Sequence, residues 1–295
     1  MLQRLRVIGN VLREATNEWF QDNGPRLGAA LAFYSVLSIA PLLVITLALA
    51  GLFFDEATAR EHLLRQMRDL VGAEGANAMK VMLDSGTREG SRLATFLGIA
   101  TLLFGASGVF GELQAAMDAV WDVKPKPMSV WDIVRARFLS FTMVIGVGFL
   151  LLISLIISTM IAALHDSLDG RVPQFLEPGW HALSSLITFL IVTLLFALIF
   201  KVLPDVKIDW RDVWFGALLT AALFSVGKLA ISLYLGKSGL ASGYGAAGSL
   251  VVLIVWVYYS SQILFFGAEI THVVARRRHA TIEPAENAEL AHEKD

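Results

Sequence analysis

Long stretches without charged residues constrain this chain more than any other feature of its sequence. Six stretches contain no Asp, Glu, Lys or Arg, apart from a single Lys228 in the fifth. A helix needs about 20 consecutive apolar residues to cross a bilayer, so the stretches predict six transmembrane helices. They cover residues 28–54, 93–111, 138–164, 182–200, 213–235 and a part of 238–268.

The overall composition agrees with a membrane protein. Only 17% of the residues are charged, whereas a soluble domain carries about 25%. The net charge of −2 argues against a nucleic-acid partner, because binding to phosphate backbones needs a surplus of Lys and Arg. The chain has no cysteine, which excludes disulfides, thiolate metal sites and a cysteine nucleophile.

We therefore predict an all-α, polytopic membrane protein with a small helical extracytoplasmic cap. Residues 1–26 form a cytoplasmic amphipathic segment, 27–275 the six-helix domain, and 276–295 a disordered, acidic cytoplasmic tail. Two amphipathic stretches within the outer loop 55–91 form the cap. The predicted spans are about 28–54, 92–112, 138–164, 181–201, 213–235 and 247–270.

The distribution of basic residues predicts the orientation. Six spans put both termini on one side, and this side holds 15 Lys and Arg against 8 on the other. Cytoplasmic loops carry the excess of basic residues in bacterial membrane proteins, so both termini are predicted to be cytoplasmic and the protein to lie in the inner membrane.

Lys228 is the candidate substrate-binding residue. A lysine near the bilayer centre costs about 2.5–3.5 kcal/mol, so its side chain is expected to face the helix bundle or a wet cavity. Ser154, Thr188 and Tyr258 lie at a similar predicted depth and complete the candidate site. Two interpretations remain open: the ammonium binds an anionic head group, or it donates structural hydrogen bonds to neighbouring helices.

Two further features are candidates for a transport path or for ordinary packing. Pro41 lies at the centre of the first span, where it removes a helical hydrogen bond and predicts a kink. Charged residues near the inner ends of the spans predict an inner-layer cluster, either functional or a simple pairing of charges at the interface. The cluster comprises Glu112, Glu269, Lys201 and Arg211.

Enzymatic signatures are missing from the sequence, and neither a catalytic residue nor a cofactor is predicted. Gly236-Lys237-Ser238 resembles the end of a phosphate-binding loop, but Ile231 stands where that motif needs its first glycine. No metal site is predicted, because the histidines are scattered along the chain. They are His62, His165, His181, His272, His279 and His292.

Three segments resemble the YihY/BrkB family of bacterial inner-membrane proteins, and the similarity extends from about residue 25 to 275. The first runs from Ala29 to Leu42. The second begins with Leu203-Pro204-Asp205-Val206-Lys207 and continues through Trp210-Arg211-Asp212 to Gly216-Ala217. The third begins with Tyr244-Gly245-Ala246 and continues through Trp256-Val257-Tyr258-Tyr259 to Gly267-Ala268-Glu269.

The resemblance implies a six-helix inner-membrane protein and leaves the biochemical activity open. The family was formerly mislabelled ribonuclease BN, one of its branches is associated with serum resistance, and related proteins have been linked to lipid or lipopolysaccharide export. The sequence favours a transporter or flippase for an anionic lipid or small solute. The alternative is a structural or assembly factor of the cell envelope. Ribonuclease activity is not expected, because metal ligands and a basic cytoplasmic patch are both missing from the sequence. Membrane lipids are the expected partners, and the sequence also allows a homo-oligomer.

Overall fold

The computed structural model describes residues 2–51, 55–86, 108–127, 177–238, 248–278 and 282–291, and these residues are mostly helical. Two three-residue strands are the only sheet structure among them. The elements in chain order are α1 (Leu2–Gln21), α2 (Gly24–Ala50), α3 (Glu56–Gly86), α4 (108–120), β1 (Val123–Pro125), α5 (Glu177–Val202), α6 (Trp210–Ser238), α7 (Gly248–Arg278) and β2 (Ala288–Leu290).

Three of the described helices are long and apolar enough to cross a membrane. The crossing segments are Ser185–Val202 in α5, Trp210–Ile231 in α6 and Leu250–Arg278 in α7. They correspond to the last three of the six predicted spans. The predicted first span falls on α2. The predicted span 138–164 and most of 92–112 lie outside the described residues, so the number six stays a prediction.

The faces of α6 are arranged as lipid contact requires. Large apolar side chains recur at Val226, Leu229 and Leu233 and are 69%, 65% and 62% exposed. The small residues Ala217 and Ala221 are instead fully buried against the other helices. In water, a helix would bury its large apolar side chains, because exposed apolar surface is costly there. In lipid this cost is absent, so the large side chains can face the lipid and the small residues form the face on which other helices pack closely.

Helices α6 and α7 approach closely because glycine and threonine alternate where they cross. A Cβ on Gly216 would overlap Oγ1 of Thr271, and a Cβ on Gly267 would overlap Oγ1 of Thr220. Further along, Gly227 accommodates the hydroxyl end of Tyr259. The residue numbers rise along α6 as they fall along α7, so the two helices are antiparallel.

Helix α1 packs on the C-terminal half of α7. Val11 and Ala15 of α1 form a buried cluster with Ile270 and Val273 of α7. On the opposite side of α1, Phe20 is 63% exposed. The amphipathic pattern therefore forms a helix that contacts the bundle through its apolar face.

Helix α3 occupies the predicted cap region and bends back on itself. Arg60 forms an ion pair with Asp84, although 24 residues of straight helix would separate them by about 36 Å. Leu63 and Leu83 are buried in one cluster with Trp256 of α7. The two amphipathic stretches thus form two arms that pack on the bundle.

Residues 282–291 of the C-terminal tail are ordered, so the predicted disorder is wrong for this part of the tail. Strand β2 pairs antiparallel with β1, with Glu289 opposite Lys124, and the side chains of this pair are 3.4 Å apart. The backbone N–H of Ala291 donates to the carbonyl of Asp122 at 2.7 Å. The prediction considered only local composition, whereas the acidic tail gains backbone and charge partners from loops far away in the sequence.

Candidate functional site

The most unusual polar feature of the described residues is a buried carboxylate on α7. Glu269 is fully buried, and His272, one turn further along the helix, is only 3% exposed. Residues three apart in a helix lie on the same face, so the Glu-x-x-His spacing directs both side chains to the same neighbour. This neighbour is α1.

Glu18 of α1 completes the cluster. One of its carboxylate oxygens, Oε2, lies 3.8 Å from Nδ1 of His272. One ligand atom from each of Glu18, Glu269 and His272 can be chosen so that all three lie within 4.8 Å of one another. We call these three residues the acid–histidine cluster.

The atoms that face one another in the acid–histidine cluster have no hydrogen-bond partner. These atoms are both carboxylate oxygens of Glu269, Nδ1 of His272 and Oε2 of Glu18. The carboxylate of Asp22 lies within hydrogen-bonding reach of Glu269, and together with that of Asp122 it brings further negative charge to this position. Buried polar groups are normally hydrogen-bonded, so such a concentration of unsatisfied polar atoms needs an explanation.

Arginines at the end of α7 hold the outer side of the cluster. Nη2 of Arg276 donates to Oε1 of Glu18 and to Oε1 of Glu14, both at 2.5 Å. Arg277 donates to the other oxygen of Glu14, and this hydrogen bond is the main reason why the pKa of Glu14 is lowered. With Oε1 of Glu18 engaged by Arg276, Oε2 is left to face the cluster.

The turn after α4 closes the cluster on another side. The indole of Trp121, which is almost fully buried, lies with its ring centre 5.0 Å from that of His272. The next residue, Asp122, has a φ of 52°, a conformation that non-glycine residues rarely adopt. The carbonyl of Asp122 is bound by the tail at Ala291, so the tail helps to fix this turn.

Asp118 lies one turn before Asp122, outside the membrane-spanning segments. Burial raises the pKa of Asp118 to about 7, and the nearby carboxylate of Asp205 acts in the same direction. The backbone N–H of Asp205 donates to Oδ1 of Asp118 at 2.8 Å and opposes the shift. This carboxyl group titrates near neutral pH because few solvent contacts stabilise its charge.

The candidate substrate-binding residues within the described part of the chain lie on three helices. Lys228 is half-buried on α6, next to the contact between Gly227 and Tyr259. Tyr258 of α7 is 36% exposed, and Thr188 of α5 is half-buried. Ser154 lies outside the described residues.

The predicted inner-layer cluster is not brought together by ion pairs among the described residues. Lys201 donates to the carbonyl of Ile208, Arg211 is exposed, and Glu112 is half-buried. Glu269 joins Glu18 and His272 instead.

The predicted kink at Pro41 stays a prediction. Helix α2 includes this residue and continues to Ala50.

The acid–histidine cluster was not predicted from the sequence. Its local signal is the Glu-x-x-His spacing of Glu269 and His272, which joins an acid to a histidine, whereas the histidines alone show no metal-ligand spacing. That spacing could have indicated a shared face. Glu18 could not have been added, since it lies about 250 residues away and no local pattern links it to α7.

The apolar helices, their lipid-type faces and the buried ionisable groups define a helical membrane protein. A sequence model described as Virulence factor BrkB matches residues 15–291. The chain belongs to this family, which confirms the resemblance noted in the sequence.

The relatives are named as membrane proteins. The UPF0761 membrane protein of Rhodospirillum centenum is 25% identical over 285 residues, which are 95% of this chain and 60% of that protein. The UPF0761 membrane protein of Legionella pneumophila subsp. pneumophila is 26% identical over 263 residues, 88% of this chain and 61% of that protein. The chain thus spans about 60% of the length of these relatives. No solved structure matches the chain.

Proposed function

We propose that this protein is a transporter or flippase that moves an anionic lipid or small solute across the inner membrane. The observation that carries the proposal is Glu269, a fully buried carboxylate in a helix apolar enough to span a bilayer, whose neighbour within hydrogen-bonding reach is another carboxylate, that of Asp22. Ionisable groups within spans are costly and typically mark a substrate or ion pathway.

Two polar positions at different depths support a transport path. Lys228 adjoins the contact between Gly227 and Tyr259, and Tyr259 lies ten residues before Glu269 on α7. At 1.5 Å per residue, this separates the levels of Lys228 and Glu269 by about 15 Å. In our proposal, Lys228 contacts the anionic group of the substrate, and Glu269 lies at the other polar position along the path.

Transport is tested with purified protein in liposomes. The assays are reduction of a fluorescent anionic phospholipid by an impermeant reagent and efflux of a trapped anionic dye. We expect the phospholipid or the dye to move faster than in protein-free vesicles in at least one assay. This additional transport should be lost in the Lys228→Met variant. The control is Lys207→Met, because Lys207 is exposed and pairs with Glu283 at the surface.

Two results would contradict the proposal. If vesicles with the wild-type protein do not differ from protein-free vesicles in either assay, the transport proposal is wrong. The protein is then better described as a structural or assembly factor of the cell envelope. If transport occurs but Lys228→Met matches wild type, the assignment of the anion-binding position to Lys228 is wrong.

The orientation is part of the same proposal, with both termini in the cytoplasm. The asymmetry of 15 against 8 basic residues between the two sides supports it. An alkaline phosphatase fusion at the C-terminus should be inactive and a green fluorescent protein fusion fluorescent. Active phosphatase at this position would reverse the orientation.

A further inference from the structure

We propose that Glu18, Glu269 and His272 form a binding site for one divalent transition-metal ion. The proposed site shares Glu269 with the proposed transport path, but metal binding is measured at equilibrium on the folded chain, so its failure is distinguishable from a failure of transport. It begins from the convergence of two carboxylates and one imidazole, one ligand atom of each lying within 4.8 Å of the others.

The distances fit a site that closes on an ion. Donor atoms bound to one ion at about 2.1 Å lie about 3–4 Å from one another. The separation of 3.8 Å between Nδ1 of His272 and Oε2 of Glu18 is already in this range. The ligand atom of Glu269 lies within 4.8 Å of the other two, so the carboxylate has to approach them by no more than about 2 Å to complete the set.

The unpaired atoms give an independent reason for a bound cation. Glu269 is fully buried, and the side chain within hydrogen-bonding reach of it is the carboxylate of Asp22, so no donor group of the protein satisfies its oxygens. The side chain of His272 is only 3% exposed, and its Nδ1 has no hydrogen-bond partner either. Burying acceptors that face one another is unfavourable, because each loses water and the carboxylates repel. A metal ion between them would remove both costs.

The surroundings are those of a supported metal site. Arg276 donates to Oε1 of Glu18, which orients that carboxylate, and Glu14 in turn engages Arg276. The ring of Trp121 lies beside His272. Partners of this kind orient ligands and tune their affinity in known metal proteins.

The chemistry of the ligands selects the class of ion. Carboxylates suit Mn²⁺ and imidazole suits Zn²⁺ and Fe²⁺, so a mixed set indicates the series from Mn²⁺ to Zn²⁺. Helical bundles that bind two iron or manganese ions use two Glu-x-x-His pairs and two further glutamates, and this cluster contains one pair and one glutamate, half of that set. Here the bound ion would also connect α1 to α7.

The test uses the full chain purified in detergent and freed of metal with a chelator. Isothermal titration with Mn²⁺ and with Zn²⁺ should give about one ion per chain. Glu269→Gln and His272→Gln should each weaken binding at least tenfold, since losing even an outer partner costs about 10–100-fold. The matched controls are Glu112→Gln and His62→Gln, which replace half-buried residues outside the acid–histidine cluster. Both control variants should bind the metal ions as tightly as the wild type.

A spectroscopic measurement on the wild-type protein keeps the proposal testable if a variant does not fold. Electron spin-echo modulation of bound Mn²⁺ should contain the coupling of a directly bound imidazole nitrogen. This coupling should disappear in His272→Gln. The proposal is overturned if the wild type binds neither ion, if both cluster variants bind as tightly as wild type, or if Mn²⁺ bound to the wild type lacks the nitrogen coupling.

Discussion

Arg278 and Asp212 form an ion pair that joins the last residue of α7 to the first turn of α6. Nη1 of Arg278 donates to Oδ1 of Asp212 at 2.7 Å. The aspartate side chain is only 1% exposed, whereas that of Arg278 is 52% exposed. The two residues are 66 positions apart in the sequence, so the ion pair holds the end of α7 against the start of α6.

Replacing Arg278 should destabilise the protein through the carboxylate left behind. Arg278→Ala keeps Asp212 buried without its guanidinium, and we expect the free energy of unfolding to fall by about 1–3 kcal/mol. Thermal unfolding in detergent measures this change. The control is Lys207→Ala, which removes one partner of an exposed pair with Glu283 and should cost no more than about 1 kcal/mol. Equal effects of the two substitutions would contradict this interpretation.

A methyl group at the crossing of α6 and α7 should also be destabilising. Gly267→Ala places a Cβ on Thr220, so we expect the unfolding free energy to fall by about 1–3 kcal/mol. Gly111→Ala is the matched control, because nothing lies within 4 Å of a Cβ there. The control should be neutral or stabilising by up to about 1 kcal/mol, as expected for replacing a helical glycine.

A second substitution tests whether Thr220 is the cause. Thr220→Ala removes two of the atoms that the new methyl group would overlap, Oγ1 and Cγ2. The double variant Gly267→Ala/Thr220→Ala should therefore recover part of the loss. If the two effects simply add, the overlap is not the source of the destabilisation.

The pairing of the tail can be tested by cross-linking, since the chain has no cysteine of its own. Lys124 and Glu289 are directly opposite in the two strands. Lys124→Cys/Glu289→Cys should form an intramolecular disulfide under mild oxidation, detected by the loss of maleimide labelling. Lys124→Cys/Glu283→Cys is the control, because Glu283 pairs with Lys207 instead. A disordered tail would cross-link both pairs equally.

The pH dependence of stability should contain a contribution from Asp118. Its pKa is about 7 in the folded protein against an ordinary value of 3.8. The folded state therefore binds more protons than the unfolded state between these values, and stability decreases as the pH rises through this window. Below pH 4 the full contribution is present, and above pH 7 it has been lost.

Asp118→Asn isolates this contribution. The amide oxygen can still accept the hydrogen bond from the N–H of Asp205, but it does not titrate. Unfolding midpoints of both proteins are compared between pH 4.5 and 8. The unfolding midpoint of the wild type relative to that of the variant should decrease as the pH rises towards 7. A difference between the two midpoints that does not change with pH would contradict the raised pKa of Asp118.

The helices themselves could largely be predicted from the sequence, because apolar runs and amphipathic spacing are local properties. The predicted spans 181–201, 213–235 and 247–270 correspond to α5, α6 and α7. The shared face of Glu269 and His272 is also a local property, since it follows from their spacing on one helix. The small residues of α6 likewise mark a packing face in the sequence.

Only the tertiary structure decided which distant residues meet. Glu18 joins Glu269 because α1 packs on α7 through Val11 and Ile270, a contact that no sequence period encodes. The tail was predicted to be disordered because it is short, polar and acidic, yet its backbone pairs with β1. Hydrophobic periodicity determines what a segment forms, whereas the approach of helices and strands depends on complementary shapes and charges distributed over the whole chain.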